Sequence, residues 1–171
     1  MSVVTSQYVL EIGSSSVETF TSIVERNLLA SSELRVLPWQ QQKAMTYSPS
    51  DLSLREVVEG LESRSFASAS WREVKSGVRY VLLYCPNFAD NDLNLWLCTV
   101  EYTGEEWKSL WGELGEYPEL RFACVSQDEG ILVSGDQLSP ETFPWSEPSL
   151  LAAAVRSASG SWVTREAVRS T

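Results

Sequence analysis

Apolar residues along the chain switch between two periods, and the switches mark out its elements. Residues 8–12 (YVLEI) are apolar with one charge and stop at Gly13-Ser14-Ser15-Ser16, after which Val17, Phe20, Val24 and Leu28 recur at helical spacing. That order predicts a strand, a capping turn and an amphipathic helix. Residues 33–37 (ELRVL) predict a second strand ended by Pro38, and residues 39–50 (WQQQKAMTYSPS), polar and without period, predict a long loop. Ser53 and Glu56 stand at capping-box spacing, and Leu54, Val57, Val58 and Leu61 fill one face of a second helix.

From residue 66 to 102 the period becomes two. Segments 67–74, 78–85 and 93–102 predict an antiparallel meander, with Lys75-Ser76-Gly77 short enough for a hairpin and residues 86–92 (PNFADND) forming a longer acidic turn. The third segment is apolar on both faces, Leu93, Leu95 and Leu97 on one and Trp96, Cys98 and Val100 on the other, which belongs in a sheet interior. Thr103 and Glu106 repeat the capping-box spacing before a third helix through Trp107, Leu110, Trp111 and Leu114, terminated by Gly115 and Pro118. Residues 120–126 and 131–134 predict a second hairpin. Ser146 and Pro148 then open a fourth helix through Leu151, Ala154, Val155 and Ala158, closed by Gly160. The expected fold is α+β, an antiparallel sheet of about six or seven strands with four helices mainly on one face. The chain reads as a single α+β domain over residues 1–171, with a weakly basic C-terminal end from about residue 164.

Composition narrows the chemistry. Histidine is absent from the 171 residues, which removes imidazole as base, shuttle or metal ligand and with it Ser-His-Asp and Cys-His catalysis. Cys85, Cys98 and Cys124 are odd in number, widely spaced and set in apolar segments, so buried reduced thiols in a cytoplasmic protein are expected, with no disulfide and no zinc site. No basic leader with an apolar run and no membrane-length apolar run is present.

The charge is concentrated. Of the formal net charge of −10, residues 87–147 carry thirteen acidic groups against Lys108 and Arg121, a net of −11, while residues 1–86 hold nine acidic and eight basic groups. A field of one sign repels DNA, RNA and anionic membrane and speeds encounter with a basic partner. An acidic surface that only keeps the protein dissolved accounts for the same charge.

Motifs for other chemistry are partial. Asp90-Asn91-Asp92-Leu93-Asn94 with Glu101 echoes the oxygen spacing of a calcium loop, but Leu95 stands where the turn needs glycine, so a solvated acidic turn is the stronger reading. Gly13-Ser14-Ser15-Ser16 lacks the lysine and the spaced glycines of phosphate loops, and capping explains it. No cofactor and no metal are expected. Trp39 and Trp145 each follow a proline, a context that suits either a partly exposed interface anchor or a ring folded under its own loop.

In size, acidity and lack of a catalytic motif the chain resembles the immunity proteins that neutralise bacterial toxins, a similarity of class without a shared motif. The resemblance implies a non-enzymatic cytosolic protein-binding module that occludes a basic partner, a cognate toxin, by shape and charge, with no nucleic acid and no membrane as partner. The expected partner-binding residues are Asp90, Asp92, Glu105, Glu106, Glu113, Glu116, Asp128 and Glu129, with Trp39 and Trp145 as aromatic anchors. Two alternatives are a secretion chaperone or adaptor, marked by a symmetric dimer, and a small carboxylate-dependent enzyme, marked by a pocket with convergent acidic side chains.

Overall fold

The computed structural model describes residues 6–27, 32–88, 93–117, 119–127, 130–131 and 133–166. Nine strands join in one antiparallel sheet: β1 (Gln7–Ser14), β2 (Ser32–Pro38), β3 (Ser48–Ser50), β4 (Phe66–Glu73), β5 (Arg79–Phe88), β6 (Leu93–Thr103), β7 (Leu120–Gln127), β8 (Leu150–Arg156) and β9 (Trp162–Glu166). Their order across the sheet is β3-β2-β4-β5-β6-β1-β7-β8-β9. Three α-helices are present among the described residues, α1 (Val17–Asn27), α2 (Leu54–Glu62) and α3 (Trp107–Glu113). None of them is long and apolar enough to cross a membrane.

Strand alternation divides the side chains between two faces. On the helix face, Leu10, Ile12, Trp71, Leu82 and Val100 are buried beneath Phe20 and Ile23 of α1, Val57 and Leu61 of α2, and Trp107 and Leu110 of α3. Each fully buried leucine or phenylalanine contributes about 1.5–3 kcal/mol relative to an exposed one. The Ser53–Glu56 capping box forms as the spacing predicts: the Glu56 amide donates to Ser53 Oγ at 3.3 Å and the Ser53 amide to the Glu56 carboxylate at 3.2 Å.

On the far face, Leu95, Phe122, Cys124, Leu150 and Val155 are buried under Ile131 and Phe143, with Val133, Leu138 and Trp145 packed against them. This cover comes from the irregular chain between β7 and β8. Toward β2 and β4 the far face turns polar, and Glu33, Arg35 and Arg72 are exposed there.

Four expectations need correction. Among the described residues the strands number nine rather than six or seven, because β3, β8 and β9 add to the sheet. Among the described residues the helices number three rather than four: the run expected to form a fourth helix is strand β8, paired with β7 from Phe122↔Val155 to Ser126↔Leu150 and with β9 on its other side. Its apolar stretch is short, and small alanines on both faces let it sit inside the sheet, so tertiary burial overrides their helix propensity. The expected second hairpin does not form either, since β7 pairs with β8 while Ile131 and Val133 turn inward as cover. Finally, Thr103 ends β6 and α3 starts after Glu106 with no side-chain cap, so the second capping box is absent. The polar stretch 39–50 holds a 3-10 turn (Trp39–Gln41) and the short edge strand β3, whose Pro49 blunts that edge.

Candidate functional site

Five acidic side chains gather on and around α3, which crosses the helix face between β6 and β7. Glu105, Glu106, Glu116 and Glu119 are exposed and Glu113 is half-exposed. Lys108 pairs with Glu105 at 2.9 Å, and Arg26 of α1 reaches Glu116 at 3.2 Å and Glu113 at 3.7 Å while lying 5.7 Å from the centre of the Tyr117 ring. The Glu116 carboxylate raises the pKa of the Arg26 guanidinium further above its ordinary value. Such exposed pairs add little to stability. What they leave is an acidic ridge with two cations set into it.

The other expected site residues are dispersed. Trp39 stays 45 % exposed at the end of β2, five places from β7 in the sheet order, with the Arg64 guanidinium 5.7 Å from its ring centre. Trp145 lies in the far-face cover, half-buried, its ring centre 4.9 Å from that of Phe143 and its Nε1 donating to the Pro140 carbonyl at 2.7 Å. It thus has the arrangement of a ring folded under its own loop. Asp90, Asp92, Asp128 and Glu129 lie outside the described residues, as does Leu28. Of the ten residues expected in the site, Glu105, Glu106, Glu113 and Glu116 therefore stand together.

The far face carries a feature that sequence reasoning missed. In one row across it, Glu33, Arg72, Arg79 and Glu101 stand side by side on β2, β4, β5 and β6, and the next row runs Arg35, Ser70, Val81, Thr99 and Glu11. Arg79 donates from Nε to Ser70 Oγ at 3.1 Å and lies 3.7 Å from the Glu101 carboxylate. Tyr47, whose hydroxyl shares a 2.6 Å hydrogen bond with Ser68, leans over the same area. Glu33, Arg35, Tyr47, Ser70, Arg72 and Arg79 enclose a hollow of about 280 Å³.

Beside it lies a second hollow of about 550 Å³, with Arg72, Thr99, Glu101, Glu11 and Gly130 among its walls. Glu11 is the one charge in the first apolar segment, and it is 4 % exposed. Burial raises its pKa to about 7, against the lowering effect of a hydrogen bond from the Ile131 amide. Its Oε2 is buried without a hydrogen-bond partner, and a Cβ at Gly130 would lie 2.1 Å from its Oε1, so Gly130 closes over the carboxylate. Glu11 and Glu101 are thus two acidic groups in one wall. Glu11 is covered by Gly130, and Glu101 stands beside Arg79.

Cys98 and Cys124 are buried and Cys85 is half-buried, all three unpaired, and burial pushes each thiol upward in pKa, away from a reactive thiolate. At the first turn, Ser14 Oγ accepts from the Ser16 amide at 3.1 Å and donates to the Glu119 carbonyl at 3.0 Å, so its hydroxyl serves the chain itself. The chain matches no family model, no curated protein and no solved structure.

Proposed function

We propose that the protein is a non-enzymatic cytosolic binding module that occludes a basic protein partner with the acidic ridge of α3 and its two ends, in the manner of an immunity-type inhibitor. The observation that supports this most is the grouping of Glu105, Glu106, Glu113, Glu116 and Glu119 around one helix, five carboxylates against Lys108 and Arg26. Asp90, Asp92, Asp128 and Glu129 belong to the same acidic stretch of sequence and extend its charge. A potential of one sign over such a ridge raises the local concentration of a cationic surface and orients its approach.

Affinity capture from lysate of the source cells, with the wild type and a Glu105→Lys/Glu106→Lys variant as baits, tests the reading. The wild type should retain a basic protein at about 50 mM salt and release it at about 500 mM, where the screening length is short. The variant, checked by circular dichroism, should retain far less of it. Equal retention by a folded variant would overturn the reading.

A further inference from the structure

We propose that the hollow on the far face formed by Arg35, Arg72 and Arg79 is a binding site for a small phosphate monoester. The chain as a whole has a net charge of −10, yet this hollow collects three guanidinium groups against Glu33 in its wall and Glu101 beside Arg79. Among the described residues no carboxylate lies within 4 Å of Arg35 or Arg72. Arg72 and Arg79 are direct cross-strand partners, an arrangement of like charges that works against the sheet. A bound dianion would turn that repulsion into attraction.

The chemistry favours phosphate over carboxylate. One arginine fork satisfies a carboxylate, whereas three guanidinium groups lining one hollow offer donors for the three acceptor oxygens of a phosphate monoester. Ser70 accepts from Arg79 through its Oγ and keeps its own hydrogen to donate to the same oxygens. Three guanidinium groups against Glu33 and the Arg79-paired Glu101 leave an excess of one positive charge, which favours an anion. A space of about 280 Å³ suits a metabolite-sized ligand. Arg72 also lines the adjoining hollow with Thr99 and Glu101, groups that accept hydrogen bonds from the hydroxyls of a sugar-like body. Nucleic acid is disfavoured, because a long polyanion must pass the acidic remainder of the surface while a small ligand meets only the local field.

The test is thermal melting of the full chain against inorganic phosphate and ribose 5-phosphate, with sodium chloride at matched ionic strength as control. The wild type should show a saturable rise in melting temperature with both phosphates and none with chloride. Arg72→Gln should need at least about tenfold more phosphate than the wild type for the same rise. Arg35→Gln should weaken the phosphate response in the same way, and it carries the test should Arg72→Gln not fold. A ten-nucleotide single-stranded RNA serves as the competing probe. A missing phosphate response, an undiminished response in the folded variants, or RNA bound more tightly than ribose 5-phosphate through the same arginines would overturn the proposal.

Discussion

Replacing Glu11 by glutamine should make the protein more stable at alkaline pH. The carboxylate is buried on β1, accepts the Ile131 amide, and has a second oxygen without a partner. Its pKa moves from 4.5 in the unfolded chain to about 7 in the fold, so the folded state holds the proton more tightly. The contribution of Glu11 to stability is therefore fully present below about pH 4.5, falls as pH rises through 7 and is lost above it, so from pH 5 to pH 8 its loss should cost the wild type about 2–3 kcal/mol. No histidine titrates in that window. Glutamine keeps the shape and an acceptor for Ile131 but never ionises, so Glu11→Gln should be flat across the window. It should fall within about 1 kcal/mol of the wild type at pH 5 and exceed it by about 2–3 kcal/mol at pH 8. Urea unfolding followed by tryptophan fluorescence at four pH values measures both. A flat wild-type profile, or a variant that tracks the wild type, would refute the burial of an unpaired carboxylate at this position.

Three further outcomes follow from packing. A Cβ at Gly13 would lie 2.1 Å from Cε1 of the buried Phe122 ring, so Gly13→Ala should cost about 1–3 kcal/mol in urea unfolding, relieved in part by Phe122→Leu. A cost below about 0.5 kcal/mol would show that the ring has room to move. Trp145→Ala removes the Phe143 contact and the bond to Pro140, and should lower stability by about 2 kcal/mol while leaving association with a partner unchanged. Native protein at pH 8 should react slowly with Ellman's reagent at Cys85, and at Cys98 and Cys124 only as it unfolds, with melting indifferent to dithiothreitol and EDTA. Rapid labelling of all three would contradict the burial.

Where local patterns decide structure, the sequence is legible. The break at Gly13 to Ser16, the Ser53–Glu56 capping box and the period-two stretch with its Lys75-Ser76-Gly77 turn all appear in the fold as strand-to-helix turn, α2 and the β4-β5-β6 meander. The run Leu150–Arg156 is not legible, because a short apolar segment rich in alanine fits a buried strand as well as a helix. Strand β3 carries no apolar pattern at all and exists through its pairing with β2. The arginine hollow escapes for a different reason. Alternation alone tells that Arg72 shares a face with Ser70, but Arg35 and Arg79 join them only through the register of β2, β4 and β5. The near balance of charge over residues 1–86 hides the local excess. Glu11 was visible as a lone charge in an apolar segment, but the cover that seals it comes from Gly130 and Ile131, far along the chain.

The most direct test of the acidic ridge is the association rate of the captured partner with the wild type and with Glu105→Lys/Glu106→Lys, by stopped flow at several ionic strengths. Both positions precede α3, where lysine costs the fold about 0.3–1 kcal/mol through the helix dipole. The account predicts a wild-type rate that falls steeply between about 20 and 200 mM salt, and a variant that associates several-fold more slowly at low salt with a flatter dependence. Equal association rates for the two folded proteins at every ionic strength would contradict it and leave the acidity of α3 to solubility alone.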